Sequence, residues 1–302
     1  MKKKSEFLLY GYFGYKNLGD ELILNSFLNL YPESIVFSAS NSSSSVKRFS
    51  FLNLLNKNPI VFPGGNILQN KSSSKSLYFY IIFIFLCKLL RKKIYLINNG
   101  FGPIKGKFNY FLFKKAILLC DFISCRTKSD FEFIEFYNNK VLGADTFFVN
   151  NNKNRLNNGK KTAYIPKSRY IKNYNLNQDI DILAMEPYDY EFFAKNYVNR
   201  NIIKLYNMKL HEIEAKMAEY KTIYAIPLHG VILSYYFGVK NIFVIPYDDK
   251  VLNFCKEIDH EVNLLKSIDD IEKIQSKKIK INKKNKLAEF YKRAFSFEKY
   301  LF

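Results

Sequence analysis

The sequence predicts an α/β protein of two Rossmann-like lobes, and three observations carry that expectation. Short apolar runs ending in small or polar residues alternate with stretches of helical periodicity, the pattern of a parallel sheet wound with helices. At 302 residues the chain is long for one hydrophobic core. Between two such series lies NNNKNRLNNGKK at 150–161, polar and basic with a single apolar residue, which marks a linker. The expected divisions are an N-terminal lobe at 1–149, the linker, a C-terminal lobe at 162–275, and a basic helix at 276–302. That last stretch is amphipathic, lacks Gly and Pro, and is expected to pack back on the first lobe.

Phe7 to Tyr10 reads as a buried strand, followed by a loop with Gly11, Gly14 and Gly19 and then an apolar-periodic run carrying Leu22, Phe27 and Leu30. Glycines between a strand and a helix let backbone approach a ligand, and the amides at the helix start attract anions. The spacing is neither G-x-G-x-x-G nor a Walker A loop, so no nucleotide follows, and a plain strand and turn is the alternative. Asp20 is expected to cap the helix, or else to orient a hydroxyl. Ser34 to Ser40 is a second strand, residues 41–45 a Ser-rich loop, Phe51 to Lys57 a short helix, and Asn58 to Phe62 a third strand ending at Pro63-Gly64-Gly65-Asn66.

Leu77 to Leu90 is the most apolar run, and its 14 residues fall short of the ~20 that cross a bilayer. It reads as a helix buried against the sheet, with a helix lying partly in a membrane interface as the alternative. Lys93 to Asn98 is a fourth strand closed by Asn99-Gly100-Phe101-Gly102-Pro103. Phe108 to Leu119 is a helix, Asp121 to Cys125 a fifth strand ending at Arg126, and Thr127 to Tyr137 another helix. Lys140 to Leu142 leads to Asp145. In the second series, strands are expected at Thr162 to Ile165, Ile180 to Met185, Ile202 to Tyr206, Thr222 to Ile226 and Asn241 to Ile245. Helices are expected at His211 to Glu219, Val231 to Phe237 and Asp248 to Ile258. Ligands in such sheets bind outside the carboxyl ends of the strands.

The formal charge is +20, from 47 Lys and Arg against 27 Asp and Glu, which implies an anionic partner. The basic residues read as scattered, so a broadly positive surface is expected in place of a nucleic-acid stripe. Cys87, Cys120, Cys125 and Cys255 have no metal spacing, three His supply no zinc site, and no Ser sits on a nucleophile elbow. The expectation is a cytoplasmic protein with reduced thiols, no metal and no signal peptide.

Six stretches, in order, resemble the polysaccharide pyruvyl transferase family: GYFGYKNLGDELIL from residue 11, PGGNILQNKSSSKSLYFY from 63, INNGFGPI from 97, DFISCRTKSDFEFI from 121, GADTFF from 143 and LHGVILSYYFGVKNIFVIPYDDKV from 228. The resemblance implies a GT-B-like fold with a cleft between two lobes. It implies transfer of a pyruvyl group from phosphoenolpyruvate, the donor substrate, to a sugar as a ketal. No cofactor is implied. The acceptor would be a surface polysaccharide or lipid-linked sugar met at the inner face of the membrane, and a basic surface suits such a peripheral contact.

The family's R-L-H motif reads Pro227-Leu228-His229, so His229 carries over as the group that contacts phosphate or delivers a proton, with a helix-start residue as the alternative. The Arg does not carry over, and Pro227 offers neither charge nor amide proton. Arg169, beside Lys167, and Arg126 are the cations that stand at strand ends and would replace it. By the same resemblance Gly14, Asn17, Gly19, Gly64, Gly65, Asn99, Gly100 and Leu228 line the substrate loops. Lys250 is either a surface charge or a ligand to the donor's acid groups.

Overall fold

The computed structural model describes residues 6–37, 51–71, 73–150, 158–169, 180–258, 262–267, 270 and 286–301. The Ser-rich loop, most of the linker and the start of the expected terminal helix lie outside them. The chain divides into two compact units, one of Met1–Tyr15, Asp20–Asn150 and Ala288–Phe302, the other of Lys16–Gly19 and Asn151–Leu287.

The first unit is a seven-stranded sheet of β1 (Leu8–Tyr10), β2 (Ile35–Phe37), β3 (Ile60–Phe62), β4 (Gly65–Leu68), β5 (Ile94–Phe101), β6 (Phe122–Cys125) and β7 (Lys140–Leu142). The order is β2-β1-β3-β5-β6-β7, with β4 also paired to β5, and all pairs are parallel. Strands such as IVF and FISC are apolar throughout because helices cover both faces. Alternation sorts the side chains: Leu8 and Tyr10 join one core with α2 (Ser74–Leu89) and α3 (Lys107–Leu119), whereas Phe7 and Leu9 join another with α1 (Leu18–Leu30). The end of the chain completes that second core. Phe297 and Leu301 pack into it, the Asn98 side-chain amide donates to the Ala294 carbonyl, and Arg293 Nε donates to the Gly143 carbonyl. Ala294 closes α9 (Leu287–Ala294), whose Phe290 stacks on Phe148.

The second unit is a six-stranded parallel sheet ordered β10-β9-β8-β11-β12-β13: β8 (Lys161–Ile165), β9 (Asp181–Ala184), β10 (Ile202–Lys204), β11 (Tyr220–Ala225), β12 (Asn241–Val244) and β13 (Asn263–Leu264). Its helices among the described residues include α5 (Pro187–Asn196), α6 (Leu210–Met217), α7 (Leu228–Tyr236) and α8 (Asp249–Glu257).

Several expected boundaries are corrected. Strand β4 takes Gly65 and Asn66, half of the expected glycine turn, because pairing with β5 supplies the hydrogen bonds that local propensity does not. β5 runs on through Asn99 and Gly100 to Phe101 instead of ending at Asn98. The helix after Arg126 is only α4 (Lys128–Phe133), capped by Thr127 and Asp130 in a reciprocal capping box. The sequence reading passed over α5 altogether, although Pro187 at its first turn is a start signal. α7 starts at Leu228, three residues early, with Pro227 as its N-cap. The four cysteines are buried and free of disulfides, and burial pushes the Cys87 and Cys255 thiols up to about 12.

Candidate functional site

Both sheets reverse their winding once, between β1 and β3 in the first and between β8 and β11 in the second. Such a switch point leaves two neighbouring loops diverging from the carboxyl edge, where a ligand fits.

In the first unit the loop after β3 is Pro63-Gly64-Gly65. Gly64 and Gly65 have φ of 142° and 88°, which L side chains rarely adopt. A Cβ on Gly64 would lie 2.9 Å from Ile23 of α1, and one on Gly65 would lie 3.7 Å from Asp20 Oδ1. Asp20 therefore faces the glycine turn, and it does not cap α1. The helix begins two residues earlier, at Leu18, and Asn17 Oδ1 accepts from the Gly19 amide at 3.2 Å. Glu21 is a residue the sequence reading left without a task. Its Oε1 accepts from the Gly14 amide at 2.6 Å and ties the glycine loop to the helix. Burial raises the Glu21 carboxyl above its usual range, and the Gly14 amide partly offsets that.

Farther along the same edge, Arg126 follows β6 and is 4% exposed. Its guanidinium lies 3.7 Å from Asp145 Oδ2 and fills space that a Cβ on Gly100 would need, 2.4 Å from Nη2. Arg126 Nε has no hydrogen-bond partner among the described residues. Asn99, also buried, donates its side-chain amide to the Phe62 and Ile97 carbonyls, stapling β3 to β5. Asp130, which the sequence reading missed, accepts from the Phe101 amide at 2.8 Å and from Thr127. Burial raises its carboxyl, and Arg126 is the strongest influence lowering it. The T-x-x-D spacing of Thr127 and Asp130 is a capping signature legible in sequence.

The second unit brings three expected residues together. His229 is the second residue of α7, at the switch point, half-buried in the helix's first turn. A Cβ on Gly19 would sit 2.0 Å from His229 Nδ1, so the imidazole lies directly on the Gly19 backbone, with Asn17 one bond farther along. The Leu18 amide donates to the Met185 carbonyl just beyond β9, which fixes this segment against the sheet edge. Leu228 is buried. Gly230 allows α7 to settle on β8, since a Cβ there would meet Ile165 at 2.9 Å.

Arg169 leaves the neighbouring strand. Ile165 pairs with Ala225, so Arg169 and His229 each stand four residues past a paired position on adjacent strands. The Arg169 side chain is 59% exposed, 3.6 Å from Glu186 and 5.1 Å above the Tyr188 ring, while Lys167 contacts Glu186 at 2.8 Å. Lys250 opens α8 after β12, 3.4 Å from Asp248, on the same carboxyl edge.

The Arg169 loop is pinned by Asp189, whose Oδ1 accepts from the Ser168 amide at 2.8 Å. Burial is the main cause that pushes the Asp189 carboxyl up to about 6; the Ser168 amide works against it and Glu186 adds to it. A carboxyl raised by folding stabilises the native state below its unfolded value, near 3.8, and that contribution is lost as pH rises through about 6. Asp189→Asn keeps an acceptor for Ser168 without the titration. Its stability relative to wild type should therefore improve by up to about 3 kcal/mol between pH 4 and pH 8. Denaturant melts across that range would show it, and a difference that stays flat with pH would exclude it.

Comparison with known sequences decides the family. The family model described as polysaccharide pyruvyl transferase matches residues 17–249. The chain belongs to the polysaccharide pyruvyl transferase family. The matched span includes Asn17, Gly19, Arg126, Arg169 and His229. Membership assigns this pyruvyl transferase family protein to the transferases of polysaccharide biosynthesis. No curated protein matches the sequence. Among solved structures it is similar to UDP-GlcNAc 2-epimerase of Methanocaldococcus jannaschii, at 10% identity and a TM-score of 0.56 over 99% of each chain. It is also similar to a functionally uncharacterized protein of Klebsiella pneumoniae, at 16% identity and 0.52 over 87% of this chain and 94% of that one. The S. aureus MnaA–UDP structure matches at 12% and 0.50 over 99% and 90%. At these identities the likeness is one of fold: Rossmann-like α/β units of the GT-B type.

Proposed function

We propose that this protein transfers a pyruvyl group from phosphoenolpyruvate to two hydroxyls of one sugar, forming a ketal. Both hydroxyl oxygens bond to C2 of the donor, one hydroxyl proton goes to C3, and phosphate leaves with the other. The observation that carries this beyond family membership is the seat of His229, at a helix start on the switch point and held against Gly19. The first-turn amides of α7 suit the donor's phosphate, and His229 is in position to deliver a proton. Arg169 stands in for the arginine lost at Pro227 and binds the donor carboxylate, since a guanidinium matches a carboxylate in two hydrogen bonds. The acceptor is a lipid-linked sugar met at the inner face of the cell membrane.

The test is to incubate the purified protein with phosphoenolpyruvate and a panel of lipid-linked sugars. Phosphate release with a mass gain of one pyruvate ketal is the expected result, and Pro227→Arg should bind the donor more tightly. Pro227 favours a second reading, transfer of another donor. Absence of phosphate release with turnover of a nucleotide sugar would favour it. A surface glycan unchanged by His229→Ala would instead indicate a non-catalytic assembly role.

A further inference from the structure

The positive charge is not scattered as the sequence reading held. Between Glu33 and Asp121 the chain has thirteen Lys or Arg and no Asp or Glu, so 87 residues carry +13 of the net +20. That segment contains α2 and α3, which connect successive parallel strands and cover the same face of the first sheet. Tyr78 donates to Asn109 at 2.6 Å and joins the two helices.

α2 is apolar all round, yet the sheet covers only half of it. Leu77, Tyr80, Ile81, Ile84 and Cys87 are buried, while Phe79, Ile82, Phe85, Leu86 and Leu89 form an outward stripe at helical spacing. Ile82 is 65% exposed and Leu89 80%. α3 adds Phe108 at 66% and Phe111 at 54%, with Leu118 beyond. Lys75, Arg91, Lys93, Lys107, Lys114 and Lys115 surround these residues and are exposed. Beside the end of α2, Lys92 turns inward to the Asn53 and Asn58 carbonyls, fixing a turn that presents Leu52 and Leu55 to solvent.

An apolar helix face ringed by lysine fits one occupant, the interface of a bilayer carrying anionic phospholipids. Apolar side chains enter the acyl boundary, and the cations meet headgroup phosphates. A second copy fits poorly, because a two-fold interface would oppose this charge to itself. α2 spans about 24 Å at 1.5 Å per residue, less than the ~30 Å hydrocarbon core. No helix among the described residues is long and apolar enough to cross a membrane. We propose that α2 and α3 form a peripheral membrane-binding surface for anionic lipid, with both helices lying in the plane of the interface. The proposal stands independently of the reaction.

The chain has no Trp, so Ile82→Trp provides a single reporter on the intact protein. Its emission should shift to the blue with vesicles of phosphatidylcholine containing about a third phosphatidylglycerol, and not with phosphatidylcholine alone. Cosedimentation with the anionic vesicles should weaken in salt. It should fall at least about tenfold in Lys114→Glu/Lys115→Glu and in Ile82→Glu/Phe111→Glu, with melting temperature and turnover of a water-soluble acceptor unchanged. The proposal is overturned if the protein ignores anionic vesicles, if binding survives both variants, or if Ile82→Glu only abolishes a dimer.

Discussion

A Gly19→Ala protein should lose about two orders of magnitude in turnover while binding its donor almost normally. The new methyl would begin 2.0 Å from His229 Nδ1, so the imidazole must move by more than 1 Å, and such a displacement costs roughly 10²-fold. Backbone strain does not confuse the result, because Gly19 lies within α1 and an alanine there improves helix propensity by about 1 kcal/mol. A double-mutant cycle makes the test specific. His229→Ala alone should reduce turnover by about 10²–10⁴-fold, and adding Gly19→Ala should cost nothing further, since no imidazole remains to be displaced. The double variant should even melt higher than His229→Ala. If the two losses multiply, Gly19 acts through something other than His229.

Arg126→Met should cost the first unit about 3–5 kcal/mol, the largest stability effect expected from one substitution here. The buried guanidinium lies beside Asp145 and is the strongest influence holding the Asp130 carboxyl down. Without it, two carboxylates remain in a dry site. Protonation relieves that cost, so the deficit should be widest near pH 8 and shrink as the pH falls toward 4. Arg126→Lys should recover only part, because an ammonium cannot reproduce the planar fork. Gly100→Ala, harmful in the wild type at about 1–3 kcal/mol through the 2.4 Å approach to Nη2, should become nearly neutral beside Arg126→Met. Urea titrations at the two pH values would read all of these, and a pH-independent loss would contradict the account.

Much of the fold was legible because parallel strands buried on both faces are written as short apolar runs. IVF at Ile60–Phe62 needs no partner to be recognised. What stayed hidden depended on partners distant in sequence. Gly65 reads as a turn until β5 pairs with it, and Gly100 reads as a turn until Arg126 is seen to need its missing side chain. At the site, His229 was legible through its motif and Arg169 through its place after a strand. Asp20 drew attention for a cap that Asn17 provides, and Glu21, one residue later, does the anchoring. Charge was misjudged because it was tallied over the whole chain; the stretch with no acidic residue appears only when positions are compared.

The first unit holds residues from both extremes of the chain, with Phe297 and Leu301 lodged beside Phe7 and Leu9. During synthesis its sheet cannot be sealed on that side until Phe297 and Leu301 are made, and they follow the last residue of the second unit, Leu287. For that interval an apolar face of the nascent sheet stays open to chaperones and to aggregation. Expression yield should therefore depend more steeply on changes at Phe290, Ala294 and Phe297 than on equally conservative changes in the second sheet.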